Sequence, residues 1–300
     1  MSEIDLHTHS TASDGSLTPD ELVHAGKEAG LLALALTDHD TVSGLDLAVC
    51  TGKEIGLEVI PGCELSVQST YGFMHILGLW VSPRPSSLQT ALDWMQDKRW
   101  QRNEKMLAAL RSLGISIENT EVKEEARGES VGRPHIAQVL VRKGVVGDMQ
   151  EAFVRFIGSN GSAYIPKVKL TAGQAISALK GDQATVILAH PYSLDREAEE
   201  LESELRRLKS LGLDGVEVYY PDHNPEQTDL FARLTTKLDL LPSGGSDFHG
   251  RIKPDIRLGV GRGDLSLSYG LLEKMKTARR MQGLPGVFMG WHGTGPNNAT

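Results

Sequence analysis

The chain has 300 residues, of which 40% are hydrophobic and 23% charged, with a formal net charge of −8 at pH 7. This length suits one or two domains, and the acidic balance disfavours a protein that tracks along nucleic acid through many cationic contacts. Cys50 and Cys63 are the two cysteines, too few for a disulfide framework. No signal peptide or membrane-spanning run is recognisable, so we expect a cytoplasmic protein without membrane contacts.

Strand-like and helix-like segments alternate over the first 80 residues. One helix is predicted from Thr18, where a capping hydroxyl precedes Pro19, to a stop at Gly30, and a second over 45–56. The apolar segments between these helices predict strands. They cover 4–10, 31–36, 57–63 and 74–80. This order favours a parallel sheet with functional groups on the loops after the strands.

The alternation stops near Ser82, where Pro83-Arg84-Pro85 interrupts the chain. Apolar residues at helical spacing then predict a long helix and two shorter ones. These helices cover 88–113, 133–144 and 148–157. We interpret residues 83–170 as a helical insertion that caps the substrate.

The alternation of helices and strands resumes after residue 170. Helices are predicted over 171–180, 196–211, 225–238 and 267–282, and strands over 185–189, 214–219 and 239–243. We therefore expect a discontinuous α/β domain formed by 1–82 and 171–285. Residues 286–300 are predicted to form a polar tail.

Histidines and carboxylates recur where predicted strands end. His7 and His9 are two residues apart on a strand, so their side chains point the same way, although such a pair alone is weak evidence for a metal site. The same placement recurs later in the chain, at His39, Glu64, His75, His190, Asp247 and His249. Chance would scatter these residues, and their recurrence predicts a site for several metal ions.

These motifs together resemble the PHP family, named for polymerase and histidinol phosphatase. The likeness covers 1–80 and 185–250, and it is carried by His7-Thr8-His9, Asp14-Gly15, Thr37-Asp38-His39-Asp40, Pro61-Gly62-Cys63-Glu64, His75, His190-Pro191 and Ser246-Asp247-Phe248-His249. Residues 132–137 and 163–167 resemble one branch of that family. That branch includes a 3',5'-nucleoside bisphosphate phosphatase and 5'-3' exoribonucleases that trim RNA.

The resemblance implies a distorted (β/α)7 barrel that holds two or three divalent ions. Transferred motif by motif, it implies three ligand sets, of which the first two share Glu64 as a bridge. The sets are His7, His9, Glu64 and Asp247; Glu64, His75 and His190; and Asp14, His39 and His249. Mixed imidazole and carboxylate ligands suit Mn²⁺, our first choice, as well as Zn²⁺ or Fe²⁺. Asp38 and Asp40 are expected to orient histidines.

Such a site hydrolyses phosphate esters, because two ions can clamp the attacking and leaving oxygens and lower the pKa of a bridging water. The metal-activated hydroxide then attacks phosphorus, so no covalent nucleophile is needed. The residues to which we assign the catalytic role are His7, His9, Glu64, Asp247 and His249.

Substrate selection is predicted to depend on the insertion. Arg133 and His135 stand at a predicted helix start, where backbone N–H groups and a guanidinium together can hold a second phosphate. Further candidates are Lys167 and, on the long helix, Arg99, Arg102 and Asn103, for which a solvated helix face is the alternative. His223 follows a strand and is a further candidate, with an ordinary loop histidine as the alternative.

We therefore expect a phosphatase that removes the 3'-phosphate of a nucleoside 3',5'-bisphosphate, such as adenosine 3',5'-bisphosphate. Its partner is a small nucleotide, and no obligate protein partner is evident. The alternatives are a 5'-3' exoribonuclease acting on short RNA, a histidinol phosphatase, and an inactive PHP module with a structural or nucleotide-sensing role. Because every ligand position is filled, activity is favoured over the inactive module.

Overall fold

The computed structural model describes residues 2–82, 84–126 and 131–285. The predicted tail, 286–300, lies outside the described residues. The chain divides into two compact units. Met1–Leu92 and Leu170–Thr300 form one, here called the barrel unit, and Asp93–Lys169 form the other, here called the helical unit. The boundaries of the predicted insertion, 83–170, stay a prediction.

Seven strands of the barrel unit form one curled sheet in which spatial order follows chain order. The strands are β1 (Ile4–Thr8), β2 (Ala33–Leu36), β3 (Glu58–Val67), β4 (Met74–Leu79), β5 (Thr185–Leu188), β6 (Gly215–Tyr219) and β7 (Leu241–Gly244). The segment after β7 then reaches β1, because the amide of Asp247 donates to the carbonyl of His7 at 2.9 Å and the amide of His9 to that of Phe248 at 2.9 Å. This arrangement confirms the predicted seven-stranded α/β barrel.

One strand departs from the parallel arrangement that the sequence favoured. β4 pairs antiparallel with both β3 and β5, while the other neighbours are parallel. The reason lies in the connection from β3 to β4, which spans only residues 68–73. A parallel crossover needs a dozen or more residues, so this short loop forces a hairpin.

In the described part of the chain, six α-helices lie entirely within the barrel unit. They are α1 (Pro19–Glu28), α2 (Leu45–Ile55), α7 (Ala172–Gly181), α8 (Ala198–Leu211), α9 (Pro225–Lys237) and α10 (Tyr269–Met281). α1 begins as predicted, with the Thr18 hydroxyl and the Glu21 carboxylate capping each other's backbone amides. Buried apolar side chains from the strands and from α10 pack into one core, which holds the strand ends in fixed positions.

The helical unit contains most of α3 (Ser87–Ser112), followed by α4 (Asn119–Ala126), α5 (Arg133–Arg142) and α6 (Met149–Ala152). A π-helical turn, Phe153–Ile157, continues α6. Apolar residues of these helices, including Leu110, Ile136 and Leu140, are fully buried in a separate core. Within the described ranges, no helix combines the length and apolarity that crossing a bilayer requires.

Candidate metal centre

The predicted ligands of the first ion meet at the end of β1. His7, His9 and Glu64 are completely buried, and the Oε2 atom of Glu64 lies 3.3 Å from the Nε2 atom of each histidine. The Oδ1 atom of Asp247 lies 3.1 Å from His9 Nε2 and 3.5 Å from His7 Nε2. Two imidazoles and two carboxylates therefore converge on one point.

The second predicted set gathers around the other oxygen of Glu64. Its Oε1 atom lies 2.9 Å from His75 Nδ1 and 3.0 Å from His190 Nε2. His39 Nδ1 approaches Oε2 at 3.0 Å. Glu64 thus presents one oxygen to each of two neighbouring histidine groups, which is the arrangement that a bridging ligand requires.

The third predicted set lies at the more exposed side of the same site. His249 Nε2 is 3.3 Å from Asp14 Oδ1, and His39 Nε2 is 3.8 Å from Asp14 Oδ2. His9 joins this group, because its Nδ1 atom lies 3.8 Å from Asp14 Oδ1. The Asp14 side chain is 53% exposed, so this set is the one open to solvent.

A buried carboxylate that the sequence analysis missed orients two of the histidines. Glu217, in β6, is fully buried, and its Oε1 atom lies 2.9 Å from His7 Nδ1 while Oε2 accepts the backbone amide of His190 at 2.7 Å. With Nδ1 held by this contact, His7 turns its Nε2 atom toward the site. A sequence signal did exist, since Glu217 interrupts an apolar strand at a position where a carboxylate needs a partner.

Two further polar groups, also missed, hold Asp247. The Tyr220 hydroxyl donates to Asp247 Oδ2 at 2.8 Å, and the Lys253 ammonium donates to the same atom at 2.5 Å. Both leave Oδ1 directed at His7 and His9. Residue spacing gives no hint of either contact.

Among the described residues, the Asp38 carboxylate bonds serine groups and no histidine, so the prediction that it orients a histidine is wrong. Its carboxylate accepts hydrogen bonds from the amide and hydroxyl of Ser10, at 2.8 and 2.7 Å, and from the Ser13 hydroxyl at 2.6 Å. It therefore shapes the turn that follows β1 and carries Asp14. Asp40 accepts the backbone amide of Ser66 at 2.8 Å.

Burial and charge divide the histidines into neutral and protonated groups. Burial lowers the pKa of His9 to about 3, so this imidazole is neutral at pH 7. Burial also opposes protonation of His39, but the negative charge of Glu64 outweighs it and raises the pKa of His39 to about 9. Burial alone would raise the pKa of Glu64, yet the charges of His39 and His7 hold it well below its ordinary range.

The chemistry of the donor set fits divalent cations. Five buried polar atoms of the cluster form no hydrogen bond within the described structure: His7 Nε2, both ring nitrogens of His9, His39 Nδ1 and Glu64 Oε2. Leaving a buried polar atom unpaired costs about 1–3 kcal/mol, so a cluster of them indicates a ligand. The three groups that place one donor atom per residue within 4.8 Å of one another contain these same side chains.

The predicted phosphate-binding residues lie in the helical unit. Arg102 donates from Nε to the Ile165 carbonyl at 2.6 Å, and Arg133 donates to the Ile157 carbonyl at 3.3 Å. Both guanidinium groups approach the Tyr164 ring, at 5.8 and 6.0 Å from its centroid. Burial, followed by the positive charge of Arg133, lowers the pKa of Arg102. We call Arg102 and Arg133 the arginine pair.

Three other predicted residues of this unit have structural contacts. Asn103 is buried and donates to the Val131 carbonyl at 2.9 Å, while its Oδ1 atom has no partner within the described ranges. His135 caps the start of α5, since its Nδ1 atom accepts the amide of Gly132 at 3.1 Å. Lys167 is half-buried.

His223 lies in the barrel unit, inside an aromatic cluster. It is 8% exposed, and its ring contacts those of Tyr192, Tyr220 and Phe231. Its Nδ1 atom bonds the Val218 carbonyl at 2.9 Å. His223 therefore contacts Tyr220, which in turn bonds the candidate ligand Asp247, and the role of His223 in substrate binding stays a prediction.

Comparison with known proteins identifies the family. The sequence model of the PHP domain family matches residues 5–129 of this chain. The 5'-3' exoribonuclease of Haemophilus influenzae is 35% identical over 245 residues, covering 82% of this chain and 89% of the relative. The 3',5'-nucleoside bisphosphate phosphatase of Chromobacterium violaceum is 30% identical over 250 residues, covering 83% of this chain and 88% of the relative.

A solved structure agrees with these relatives. A Bifidobacterium adolescentis protein assigned as a metal-dependent phosphoesterase superimposes with a TM-score of 0.73 at 30% identity, covering 92% of this chain and 96% of the other. Fold, similarity and the fit of the buried clusters to divalent ions point the same way. The chain belongs to the PHP family of phosphoesterases.

Proposed function

We propose that this phosphoesterase removes the 3'-phosphate of nucleoside 3',5'-bisphosphates, releasing a nucleoside 5'-monophosphate and inorganic phosphate. The observation that carries the choice of substrate is the arginine pair. Among the described residues, neither guanidinium is paired with a carboxylate, and burial together with the positive charge of Arg133 lowers the pKa of Arg102. A terminal phosphate dianion matches such a pair, because it accepts charge-assisted hydrogen bonds from both. We assign to the arginine pair the 5'-phosphate, which is not cleaved.

Hydrolysis of the 3'-phosphate is assigned to the metal centre. Two or three divalent ions, held by the three ligand sets, would polarise the phosphoryl group and lower the pKa of a water molecule. Mn²⁺ is our first choice of ion, with Zn²⁺ or Fe²⁺ as alternatives. The chain's own residues fix this geometry: Glu217 holds His7, and Tyr220 and Lys253 hold Asp247.

His249 and Asp14 form the side of the centre that a substrate reaches first. Asp14 is the ligand with an exposed side chain, and its Oδ1 atom faces His249 Nε2 at 3.3 Å. Burial opposes the ionisation of Asp14, but the hydrogen bond with His249 and the charge of His39 hold the pKa of Asp14 below its ordinary range. We assign to His249 the orientation of the phosphoryl oxygens or of the departing sugar oxygen.

A 5'-3' exoribonuclease acting on short RNA is the second candidate. The similarity to the Haemophilus influenzae exoribonuclease, at 35% identity, favours it. The bond cleaved would be the same, because the 3' P–O bond next to a 5'-phosphorylated nucleotide differs little when more RNA follows. The net charge of −8 favours short substrates over long ones.

One substrate comparison tests the proposal. With added Mn²⁺, the protein is incubated with adenosine 3',5'-bisphosphate, a 5'-phosphorylated RNA pentamer and histidinol phosphate, and phosphate and nucleotide products are quantified. We expect the highest kcat/KM for the bisphosphate, with AMP as the product. Faster cleavage of the pentamer would transfer the proposal to the exoribonuclease. Turnover of histidinol phosphate alone would refute both, and no turnover would support the inactive module.

A further inference from the structure

The loop between β3 and β4 presents two exposed aromatic side chains beside the metal centre. Tyr71 is 51% exposed and Phe73 is 47% exposed, although both belong to a residue type that is usually half or more buried. Exposed aromatic groups next to a polar site are typical of surfaces that bind a ligand. No role was assigned to this loop by the sequence analysis.

Phe73 directly adjoins two of the proposed ligands. Its ring centroid is 5.7 Å from that of His75 and 5.8 Å from that of His190, with the rings tilted by 51° and 56°. These are ordinary contact distances for aromatic pairs. One part of the ring packs on the ligands, and nearly half of the side chain remains exposed at the edge of the metal centre.

The backbone of Phe73 is tied to the segment that carries His190. Its amide donates to the Ser193 carbonyl at 2.9 Å, and the Ser193 hydroxyl donates to the Phe73 carbonyl at 2.8 Å. The same hydroxyl lies 3.1 Å from His190 Nδ1. Gly72 permits this close approach, because its φ is +50° and an added Cβ would lie 2.0 Å from the Ser193 oxygen. The Phe73 ring is therefore held at a fixed position relative to His190.

Tyr71 is engaged elsewhere. The Arg196 guanidinium lies over its ring, 3.6 Å from the centroid, and also approaches Glu200 at 3.4 Å. This stack occupies one face of Tyr71. Phe73 is thus the exposed aromatic group of the loop that combines contact with the ligands and a ring surface available for a flat partner.

We infer that Phe73 is a stacking platform for the nucleobase of the nucleotide whose 3'-phosphate is cleaved. The inference rests on the proposed function, since it requires a substrate with a base one sugar away from the reacting phosphate. Stacking tolerates any base, because each presents a π face. Phe73 therefore separates nucleotides from sugar phosphates and discriminates little between purines and pyrimidines.

The experiment compares two substrates that differ only in the base. Wild type, Phe73→Ala and Phe73→Tyr are assayed with Mn²⁺ on adenosine 3',5'-bisphosphate and on its base-free analogue, 1-deoxyribose 3,5-bisphosphate. We expect Phe73→Ala to lower kcat/KM for the nucleotide by about tenfold, mainly through KM, which lies within the range for loss of one stacked base. The base-free substrate should be unaffected, and Phe73→Tyr should retain wild-type preference.

Tyr219→Ala serves as the matched control, because Tyr219 is another exposed aromatic residue whose ring lines a separate cavity with Glu3 and Lys274. Bound metal is measured in each variant. If Phe73→Ala slows both substrates equally, or neither, the inference is wrong while the proposed function stands. If wild type cleaves neither bisphosphate, the proposed function fails and the inference fails with it.

Discussion

The metal centre of the barrel unit and the arginine pair of the helical unit are built in opposite ways. Glu64 and His7 are completely buried, and each is held by further charged groups at 2.9 to 3.3 Å. Arg102 and Arg133 are half-buried, and they are held by backbone carbonyls and aromatic rings. The first arrangement fixes atoms, whereas the second leaves long side chains able to adjust.

In the proposed function, this difference assigns the reaction to the metal centre and the choice of substrate to the arginine pair. A buried and cross-linked set of ligands suits chemistry that depends on fixed geometry. Half-buried guanidinium groups suit recognition of a charged group whose position varies among substrates. Changes in the metal centre should therefore affect every substrate equally, while changes in the arginine pair should alter the ratio between substrates.

The largest effect is expected from Glu64→Ala. It removes the carboxylate shared by two ligand groups, so we expect phosphatase turnover to fall by more than about 100-fold on every phosphorylated substrate, beyond the loss typical of a residue that only orients a ligand. Initial rates and bound metal, measured by mass spectrometry, check this. Glu54→Gln, at an exposed position on α2, is the control. Turnover retained by Glu64→Ala would sink the ligand assignment.

A smaller effect is expected from Glu217→Gln. The amide keeps the shape of the side chain but weakens its hold on His7, so metal affinity should fall by about 10- to 100-fold. Calorimetric titration with Mn²⁺ measures it, and a thermal melt of the metal-free protein verifies folding. The exposed Glu226→Gln should behave as wild type. Unchanged affinity in Glu217→Gln would show that His7 needs no such support.

The role of the arginine pair is tested by Arg133→Ala. Because hydrogen bonds between charged groups contribute about 1.5–3 kcal/mol, kcat/KM for a nucleoside 3',5'-bisphosphate should fall by roughly tenfold or more. A nucleoside 3'-monophosphate, which lacks the second phosphate, should be spared. Lys105→Ala, an exposed cation on α3, is the control. Equal losses on both substrates would reject a role for Arg133 in binding the uncleaved phosphate.

The last prediction concerns pH. The pKa of His39 is raised to about 9 from 6.5, so near pH 7 a proton competes with a metal ion for this imidazole in the metal-free protein. The His39 contribution to metal affinity should rise by up to about tenfold per pH unit as the pH approaches 9 from below, and then level off. Burial opposes protonation of His7, but the charge of Glu217 outweighs it and raises the pKa of His7 well above 6.5, so His7 adds to this slope. His9, whose pKa is lowered to about 3, adds no slope in that interval.

Proton release is the measurement that isolates this effect. Titration with Mn²⁺ at pH 7.5, in two buffers of different ionisation enthalpy, counts the protons released, of which His39 should contribute about one per site that it fills. His39→Asn, which carries no titratable group, should release about one proton fewer than wild type. If the variant releases as many protons as wild type, the protons come from other histidines.

The convergence of the proposed ligands was predictable from the sequence because their signal is local. His7, Glu64 and His190 each lie toward the end of an apolar strand segment or just after it, and the carboxyl ends of neighbouring strands meet at one edge of a barrel. The start of α1 was predictable for the same reason, since Thr18 and Glu21 cap each other across three residues. Patterns of this kind need no knowledge of distant parts of the chain.

The features that were missed depend on distant contacts. Glu217 acquires its role from His7, 210 residues away in sequence, and Tyr220 acquires its role from Asp247, 27 residues away. The direction of β4 followed from the length of one loop, which the alternation of strands and helices concealed. α4 was also missed, because only Val122 and Ala126 of its eight residues are buried, too few for a helical pattern.

Asp5 ties the first strand to residues near the other end of the described chain. Its buried carboxylate accepts hydrogen bonds from the amide and hydroxyl of Ser246, 241 residues later, and from the amide of Gly259. The candidate ligands of the first strand can therefore meet Asp247 and His249 only when almost the whole described chain is present. Contacts of such separation form late, after their loop-closure entropy has been overcome. A growing polypeptide therefore cannot complete the metal centre, and an ion that needs the full ligand set is captured only by a nearly finished fold.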